Sequence, residues 1–129
     1  MKKYLFIYIL TFSLFISCNK KNDNNATVVE YQMTSIERQD IAVLMTYNND
    51  IGSSVSGNYL SGWKQSVSPT NKPYSAYLRA TYPTVCSGCI LTVNIKILVN
   101  GTVVKEVTGF ISRSTPSADY FQEIQYVVN

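Results

Sequence analysis

The sequence predicts an all-β fold, an immunoglobulin-like antiparallel β-sandwich of about seven strands. Apolar and polar residues alternate along several short segments, which is the periodicity of a strand with one buried face. Connections rich in Ser, Gly, Asn and Pro separate these segments at fairly regular intervals. No segment carries the apolar stripe of an amphipathic helix. Together these observations favour two packed antiparallel sheets.

Six segments carry the alternation that predicts strands. Between residues 40 and 50, for example, Ile41, Val43 and Met45 share one face, and an Asn-Asn-Asp turn follows. Apolar side chains occupy every second position in the same way before Pro83 and before Asn100. The predicted strands cover residues 28–35, 40–50, 75–82, 89–99, 102–107 and 119–128.

The pair Asn100-Gly101 lies between the last long alternating run and the segment 102–107. A two-residue type I′ turn needs a positive φ at both central residues, and Asn followed by Gly tolerates this best. The pair therefore predicts a β-hairpin. Loops are predicted where Ser, Gly, Asn and Pro cluster, at residues 52–57, 66–73 and 109–117.

The N-terminal residues 1–17 have the organisation of a signal peptide. Lys2 and Lys3 supply positive charge, and residues 4–16 form an uncharged, mainly apolar run. A membrane-spanning helix needs about 20 apolar residues, so this run is short for a span. The segment is therefore predicted to target the chain for export.

Cys18 directly follows the small residue Ser17. This junction resembles the lipobox of bacterial lipoproteins, in which the cysteine thiol is linked to a diacylglycerol and the new amine is acylated, for example with palmitate. Phe15 and Ile16 differ from the Leu and small residue usual in that motif. The alternative is an ordinary signal peptide, or an uncleaved anchor, with an incidental cysteine. Cys18 is the predicted lipidation site, and two or more acyl chains anchor a protein stably.

Three regions follow from this interpretation: a signal peptide at 1–17, the lipidated cysteine with a flexible polar tether at 18–27, and one β-sandwich domain at 28–129. The predicted location is the envelope of a Gram-negative bacterium, on the outer membrane, as for envelope lipoproteins of Bacteroidota. Asp23 is the only acidic residue of the tether, so the periplasmic and surface faces stay open as alternatives.

Composition argues against several function classes. The chain has 11 basic and 8 acidic residues, and without Lys2 and Lys3 nine basic residues remain against eight. Such a balance does not indicate a nucleic-acid partner. The chain has no histidine, which is the most versatile general base and the commonest metal ligand. Its carboxylates show no recognisable catalytic spacing, so we expect no enzyme activity, catalytic residue, cofactor or metal.

Cys86-Ser87-Gly88-Cys89 is the sharpest local motif, and it has three interpretations. A zinc site would need two further ligands. A thioredoxin-like redox pair lies at the start of a helix, whereas a strand is predicted after Cys89. A structural disulfide between Cys86 and Cys89 suits an exported protein. The disulfide is the prediction, and a redox role is the alternative.

Four aromatic residues, Tyr59, Trp63, Tyr74 and Tyr77, lie close together in the sequence. Stacked aromatic rings bind sugars and peptides, so these four are candidate ligand-binding residues. Strands also favour tyrosine, and a lone tryptophan in a small sandwich commonly packs in the core. Core packing therefore stays open as an alternative, chiefly for Trp63.

Three stretches occur in this order along the chain: MTYNNDIG at 45–52, LSGWK at 60–64 and KILVNGTVVKE at 96–106. They resemble the MmpS family and related small β-sandwich lipoproteins, which show a Thr-Tyr-polar-Gly strand end, a Leu-Pro-Trp element and a Val-Asp-Gly-Lys-Val-Val hairpin. Ser61-Gly62 stands where the family has proline, and Asn100 replaces the aspartate. The resemblance covers about residues 31–107.

The resemblance implies a β-sandwich without enzyme activity that accompanies an RND-type lipid exporter. We therefore expect a lipid-anchored envelope protein that acts as a binding or accessory module, bound to the membrane through acyl chains on Cys18 and open to an envelope protein complex. The alternative is a glycan- or peptide-binding surface module that uses Trp63 and the nearby tyrosines. A redox protein using Cys86 and Cys89 is the third possibility.

Overall fold

The computed structural model describes residues 26–83, 88–112 and 120–129, which form an antiparallel β-sandwich. The strands are β1 (Val29–Ser35), β2 (Val43–Asn48), β3 (Ser54–Tyr59), β4 (Trp63–Val67), β5 (Tyr74–Thr81), β6 (Ile90–Val99), β7 (Thr102–Ser112) and β8 (Phe121–Val128). Sheet I has the strand order β4-β1-β6-β7, and sheet II has the order β3-β2-β5-β8. The predicted fold class is confirmed, and eight strands instead of about seven is a small difference.

The core lies between the two sheets and follows from the alternation of the four central strands. In β1, β2, β5 and β6, every second side chain is buried. Each large apolar side chain that is fully buried there stabilises the fold by about 1.5–3 kcal/mol. The largest fully buried residues of these four strands are Tyr31, Met33, Met45, Leu78, Leu91, Ile95 and Ile97, and Ile111 on β7 joins them.

The predicted β6–β7 hairpin is confirmed. Asn100 has a φ of 49° and Gly101 a φ of 81°, the left-handed values that a type I′ turn requires. The Asn100 backbone N–H donates to the Val28 carbonyl, and the Asn100 Oδ1 accepts from the Val28 N–H, both at 2.9 Å. The turn therefore also holds the residue before β1.

The sandwich has two ends, which we call the tether end and the far end. The tether end carries Val28, the β6–β7 turn, the β2–β3 turn and the C terminus. Hydrogen bonds tie the β4–β5 connection to these parts. The Thr70 N–H donates to the Asp50 carbonyl at 3.1 Å, and the Lys72 Nζ lies 2.9 Å from the Asn129 carbonyl oxygen. The β1–β2 and β3–β4 connections lie at the far end.

Two strands occupy segments for which the sequence predicts loops. Most of β3 lies in the predicted loop 52–57, and the end of β4 lies in the predicted loop 66–73. Strand β7 also continues to Ser112, past the predicted loop start at 109. Edge strands tolerate polar residues because one face and one edge meet water, so these segments lack a strong apolar pattern.

Several predicted features lie outside the described residues, namely the signal peptide, Cys18, most of the tether, Cys86 and Asp119. The described part of the chain contains no helix that is long and apolar enough to cross a membrane.

Candidate functional site

The two sheets meet at two lateral edges, and the one formed by β3 and β4 is here called the open edge. Strand β3 ends at Tyr59 and strand β4 begins at Trp63. The two rings stack with their centroids 4.8 Å apart and their planes at 26°. One ring comes from each sheet, so this stack bridges the sandwich at the open edge.

The aromatic contacts continue from this stack into the core. The Tyr47 ring lies 5.4 Å from the Trp63 ring and 5.4 Å from the Tyr31 ring, tilted against both. The Tyr31 hydroxyl lies 2.8 Å from the Tyr74 hydroxyl. We call these five residues the aromatic row. Trp63 is half-buried between Tyr59 and Tyr47 and packs against the core. This position agrees with core packing, the alternative to ligand binding for this residue.

Three phenol groups in the aromatic row have a raised pKa. Burial raises the pKa of the Tyr31 phenol, and its hydrogen bond with Tyr74 raises it further. Burial also raises the pKa of Tyr74, and it raises that of Tyr47 together with the nearby Tyr59 phenol. A tyrosine phenol is already neutral at physiological pH, and these shifts keep it neutral to a higher pH, so the three groups act as neutral hydrogen-bonding partners.

Gly57 provides the space for the Tyr59 ring. A Cβ atom placed on Gly57 would lie 2.7 Å from the Tyr59 hydroxyl oxygen and 2.8 Å from its Cζ. Any side chain at this position would push the ring away from Trp63. Gly57 carries no signal in the sequence, because a glycine between Ser and Asn is typical of a loop.

A cleft opens beside the aromatic row at the tether end. Its volume is about 420 Å³, which falls in the range of small-molecule sites. One wall comes from the β2–β3 turn and the other from the end of β4, while the Tyr47 side chain joins the cleft to the aromatic row. The lining residues are Tyr47, Asn49, Asp50, Gln65, Ser66, Val67 and Ser68.

The β2–β3 wall of the cleft is fixed by local hydrogen bonds. The Asn49 Oδ1 accepts from the Ser53 N–H at 2.9 Å and from the Ile51 N–H at 3.2 Å. Gly52 has a φ of 83°, and its N–H donates to the Asn49 carbonyl at 2.9 Å. An Asx-type turn of this kind holds its backbone tightly. Asp50 is therefore presented on a well-ordered turn.

Of the four predicted ligand-binding residues, only Tyr59 and Trp63 have rings in direct contact with each other. Tyr59 and Trp63 stack at the open edge. Tyr74 is only 4% exposed, and its hydroxyl lies 2.8 Å from the Asn48 carbonyl oxygen, so it is a core residue and not a loop residue. Tyr77 lies on the opposite, outer face of sheet II. The four residues therefore do not form one surface.

Tyr77 belongs to a separate polar cluster that joins β5 to β8. Its hydroxyl donates to the Glu123 Oε2 at 2.8 Å, and the Arg79 Nη2 lies 2.6 Å from the same oxygen. The Arg79 guanidinium also lies 4.2 Å from the Phe121 ring centroid. The hydrogen bond from Arg79 lowers the pKa of Glu123, and the bond from Tyr77 lowers it further. Through these contacts Tyr77 stabilises the pairing of β5 with β8.

Other carboxylates are also engaged in structural contacts. Glu37 accepts hydrogen bonds from the Thr92 side chain and backbone, which lower the pKa of Glu37. Glu106 accepts from Asn94 at 2.8 Å and pairs with Lys96 at 3.2 Å. Within residues 26–83, 88–112 and 120–129, no group of three or more Cys, Asp or Glu side chains could hold a metal ion.

Cys89 directly precedes β6 and is half-buried. Its backbone N–H donates to the Tyr82 hydroxyl at 3.1 Å. A strand and not a helix follows this cysteine, which does not match the thioredoxin-like arrangement. Because Cys86 lies outside the described residues, the Cys86–Cys89 disulfide stays a prediction.

No protein-family model matches the chain, and no curated protein matches its sequence.

Proposed function

We propose that the protein is a non-enzymatic binding module, anchored to the bacterial envelope through lipid on Cys18, and that it binds a glycan in the cleft of the open edge. One observation carries the binding proposal: a cleft of about 420 Å³ lies directly against the aromatic row. Aromatic rings beside a few fixed polar groups are typical of ligand sites.

The lining of the cleft favours an uncharged, hydroxyl-rich ligand. It offers hydroxyl, amide and carboxylate groups from Ser66, Gln65 and Asp50, but it includes no Lys or Arg side chain. An anionic ligand would lack a basic partner there, whereas sugar hydroxyls can both donate to Asp50 and bond with the amides. Neutral oligosaccharides are therefore the ligand class that we propose.

A glycan-binding experiment tests this site. The full chain, solubilised in detergent, is titrated with a panel of neutral oligosaccharides while the fluorescence of Trp63 is recorded. Trp63 contacts Tyr47, which lines the cleft, so occupancy should change its emission. Gln65→Ala and Asp50→Asn should each weaken binding about tenfold or more, because each removes a hydrogen-bonding or charged group from the lining.

Gln125→Ala is the matched control. Gln125 is exposed on β8 and bonds with Ser75 on sheet II, away from the cleft. The Gln125→Ala variant should bind the oligosaccharides as tightly as the unmodified chain does. Emission that no oligosaccharide changes, or equal weakening by all three substitutions, would argue against a glycan site in the cleft.

The lipid anchor has its own test, which is the intact mass of protein extracted from membranes. A mass equal to residues 18–129 plus a diacylglyceryl group and an acyl chain, lost on Cys18→Ser, is the expected result. An unmodified mass in both would remove the anchor from the proposal. The accessory role beside an RND-type exporter rests on the sequence resemblance alone, and co-purification of such a transporter is what would support it.

A further inference from the structure

Strand β3 lies at the end of sheet II. Among residues 26–83, 88–112 and 120–129 it pairs with β2 alone, so its other side has no partner strand there. Outer edges of sheets invite pairing with another chain, and proteins commonly block them with charged residues, proline or bulges. The four edge strands of this sandwich can be compared on these features.

The other three edges each carry at least one protecting feature, and β3 carries none. Strand β4 contains Lys64, and β8 contains Glu123. Strand β7 contains both Lys105 and Glu106, and its pairing with β6 is interrupted by a bulge. Strand β3, with the sequence SVSGNY, has no charge and no proline, and its register with β2 runs without a shift.

The hydrogen-bond parity of the β2–β3 hairpin identifies the outward-facing groups. The Asn49 N–H donates to the Ser53 carbonyl at 2.9 Å. Hydrogen-bonded and non-hydrogen-bonded pairs alternate along an antiparallel ladder, so Val55, Gly57 and Tyr59 bond with β2. The N–H and C=O groups of Ser54, Ser56 and Asn58 therefore point away from β2, and all three side chains are exposed.

We propose that β3 pairs antiparallel with β3 of a second copy of this chain, around a two-fold axis at Ser56. This register places Ser56 opposite Ser56 and Ser54 opposite Asn58, so all three outward-facing residues become hydrogen-bonded pairs. It also places Val55 opposite Gly57, which has no side chain of its own. The two copies of sheet II become one continuous sheet.

The absence of charged residues on β3 favours a second copy of this chain as its pairing partner. An isologous antiparallel pair brings each residue close to its own counterpart. Like charges directly opposite one another are destabilising, whereas paired Ser and Asn side chains can bond with each other. Within the chain, the Ser56 hydroxyl already bonds with Thr46 at 2.8 Å across the β2–β3 pair. An uncharged strand suits self-pairing, while Lys64 on β4 disfavours it there.

None of the residues that line the cleft belongs to β3, so the proposed pairing and the proposed ligand site use different residues. Dimer formation and ligand binding are therefore separate properties, and either can fail without the other.

Sedimentation equilibrium of the full chain in density-matched detergent tests the proposal. The unmodified chain should be dimeric at micromolar concentration. Ser56→Lys and Ser56→Glu should each weaken the dimer by at least tenfold, because each places two like charges at the two-fold axis. An equimolar mixture of the two variants should regain the dimer, because opposite charges then face each other. Such rescue could not arise from unfolding.

Gln125→Lys is the control, since it adds the same charge to the opposite edge strand of the same sheet and should leave the dimer intact. A monomeric unmodified chain would overturn the proposal. So would a dimer that Ser56→Lys leaves unchanged, equal weakening by Gln125→Lys, or no rescue in the mixture.

Discussion

The two lateral edges of this sandwich differ in the side chains that join the two sheets. At the β7/β8 edge, here called the closed edge, the Gln122 Nε2 donates to the Phe110 carbonyl at 3.1 Å, directly from sheet II to sheet I. Gly109 permits this approach, because a Cβ there would lie 2.5 Å from the Gln122 Cδ. At the open edge, the stacked rings of Tyr59 and Trp63 fill the gap instead.

The comparison shows that side-chain size at the edge decides what surface the sandwich presents. A glycine and a flexible amide let the closed edge form a direct bond between the sheets. Two aromatic rings occupy far more space, and the space that they do not fill at the tether end is the cleft lined by Tyr47 and Gln65. The described residues therefore present the cleft at the open edge.

The largest effect is expected from Trp63→Ala, which removes half of the stack at the open edge. Trp63 packs against Tyr59, Tyr47 and the core, so its loss should lower the free energy of unfolding by about 3 kcal/mol. Thermal melts should show a decrease of roughly 10–20 °C in Tm. Trp63→Phe should lose clearly less. A change below about 1 kcal/mol would mean that Trp63 is not a packing residue.

Gly57→Ala should have the next largest effect. The new methyl group overlaps the Tyr59 ring, which is rigid and must move off Trp63. We expect a loss of about 2 kcal/mol, measured by urea unfolding. In a chain that already carries Tyr59→Ala, Gly57→Ala should cost little further unfolding free energy, because the clash disappears with the ring. A double variant in which the two losses simply add would disprove this contact.

Gly109→Ala at the closed edge makes an even shorter contact but should cost less, about 1 kcal/mol. Its methyl group meets the far end of Gln122, a flexible side chain that can rotate away. The loss is then mainly the hydrogen bond to Phe110. Urea unfolding of Gly57→Ala and Gly109→Ala side by side decides the order. A larger loss for Gly109→Ala would reverse the comparison.

The smallest effect is a pH dependence near the closed edge, on β8. Hydrogen bonds from Arg79 and Tyr77 lower the pKa of Glu123 below its ordinary value of 4.5. The stabilisation is therefore present above that value and is lost as the pH falls through the lowered pKa of the folded state. Melting temperatures measured below pH 4.5 should fall less steeply for Glu123→Gln than for the unmodified chain. Parallel curves would show that Glu123 contributes nothing to acid stability.

The sequence predicts the central strands well because each of them pairs with a strand on both sides and has one fully buried face. Strands β1, β2, β5 and β6 accordingly show clear alternation. The Asn100-Gly101 turn is equally predictable, since positive φ at two consecutive residues restricts the choice of residues. The edge strands β7 and β8 were also predicted, because they keep several apolar residues. Strands β3 and β4, which each have one pairing partner among the described residues, are mostly polar and resemble loops in the sequence.

The candidate site was predictable only in part. Proximity in sequence grouped Tyr74 with Tyr77, but an odd spacing in a strand sends the two side chains to opposite faces. Their separation could therefore have been predicted once both were assigned to β5. Gln65 and Asp50 carry no such signal, because β4 and the β2–β3 turn belong to different sheets and meet only through the packing of those sheets.

The sequence by itself determined the all-β class, the apolar face of each central strand and the β6–β7 hairpin, because these depend on local periodicity and backbone conformation. Only the tertiary structure decided that Tyr59 and Trp63 bridge the two sheets, that a cleft opens beside Tyr47, and that β3 is left as the unprotected edge. Those features depend on how far apart two sheets pack and which strands end up at their borders. Both are set by contacts between residues that are distant in the chain, so no local pattern encodes them.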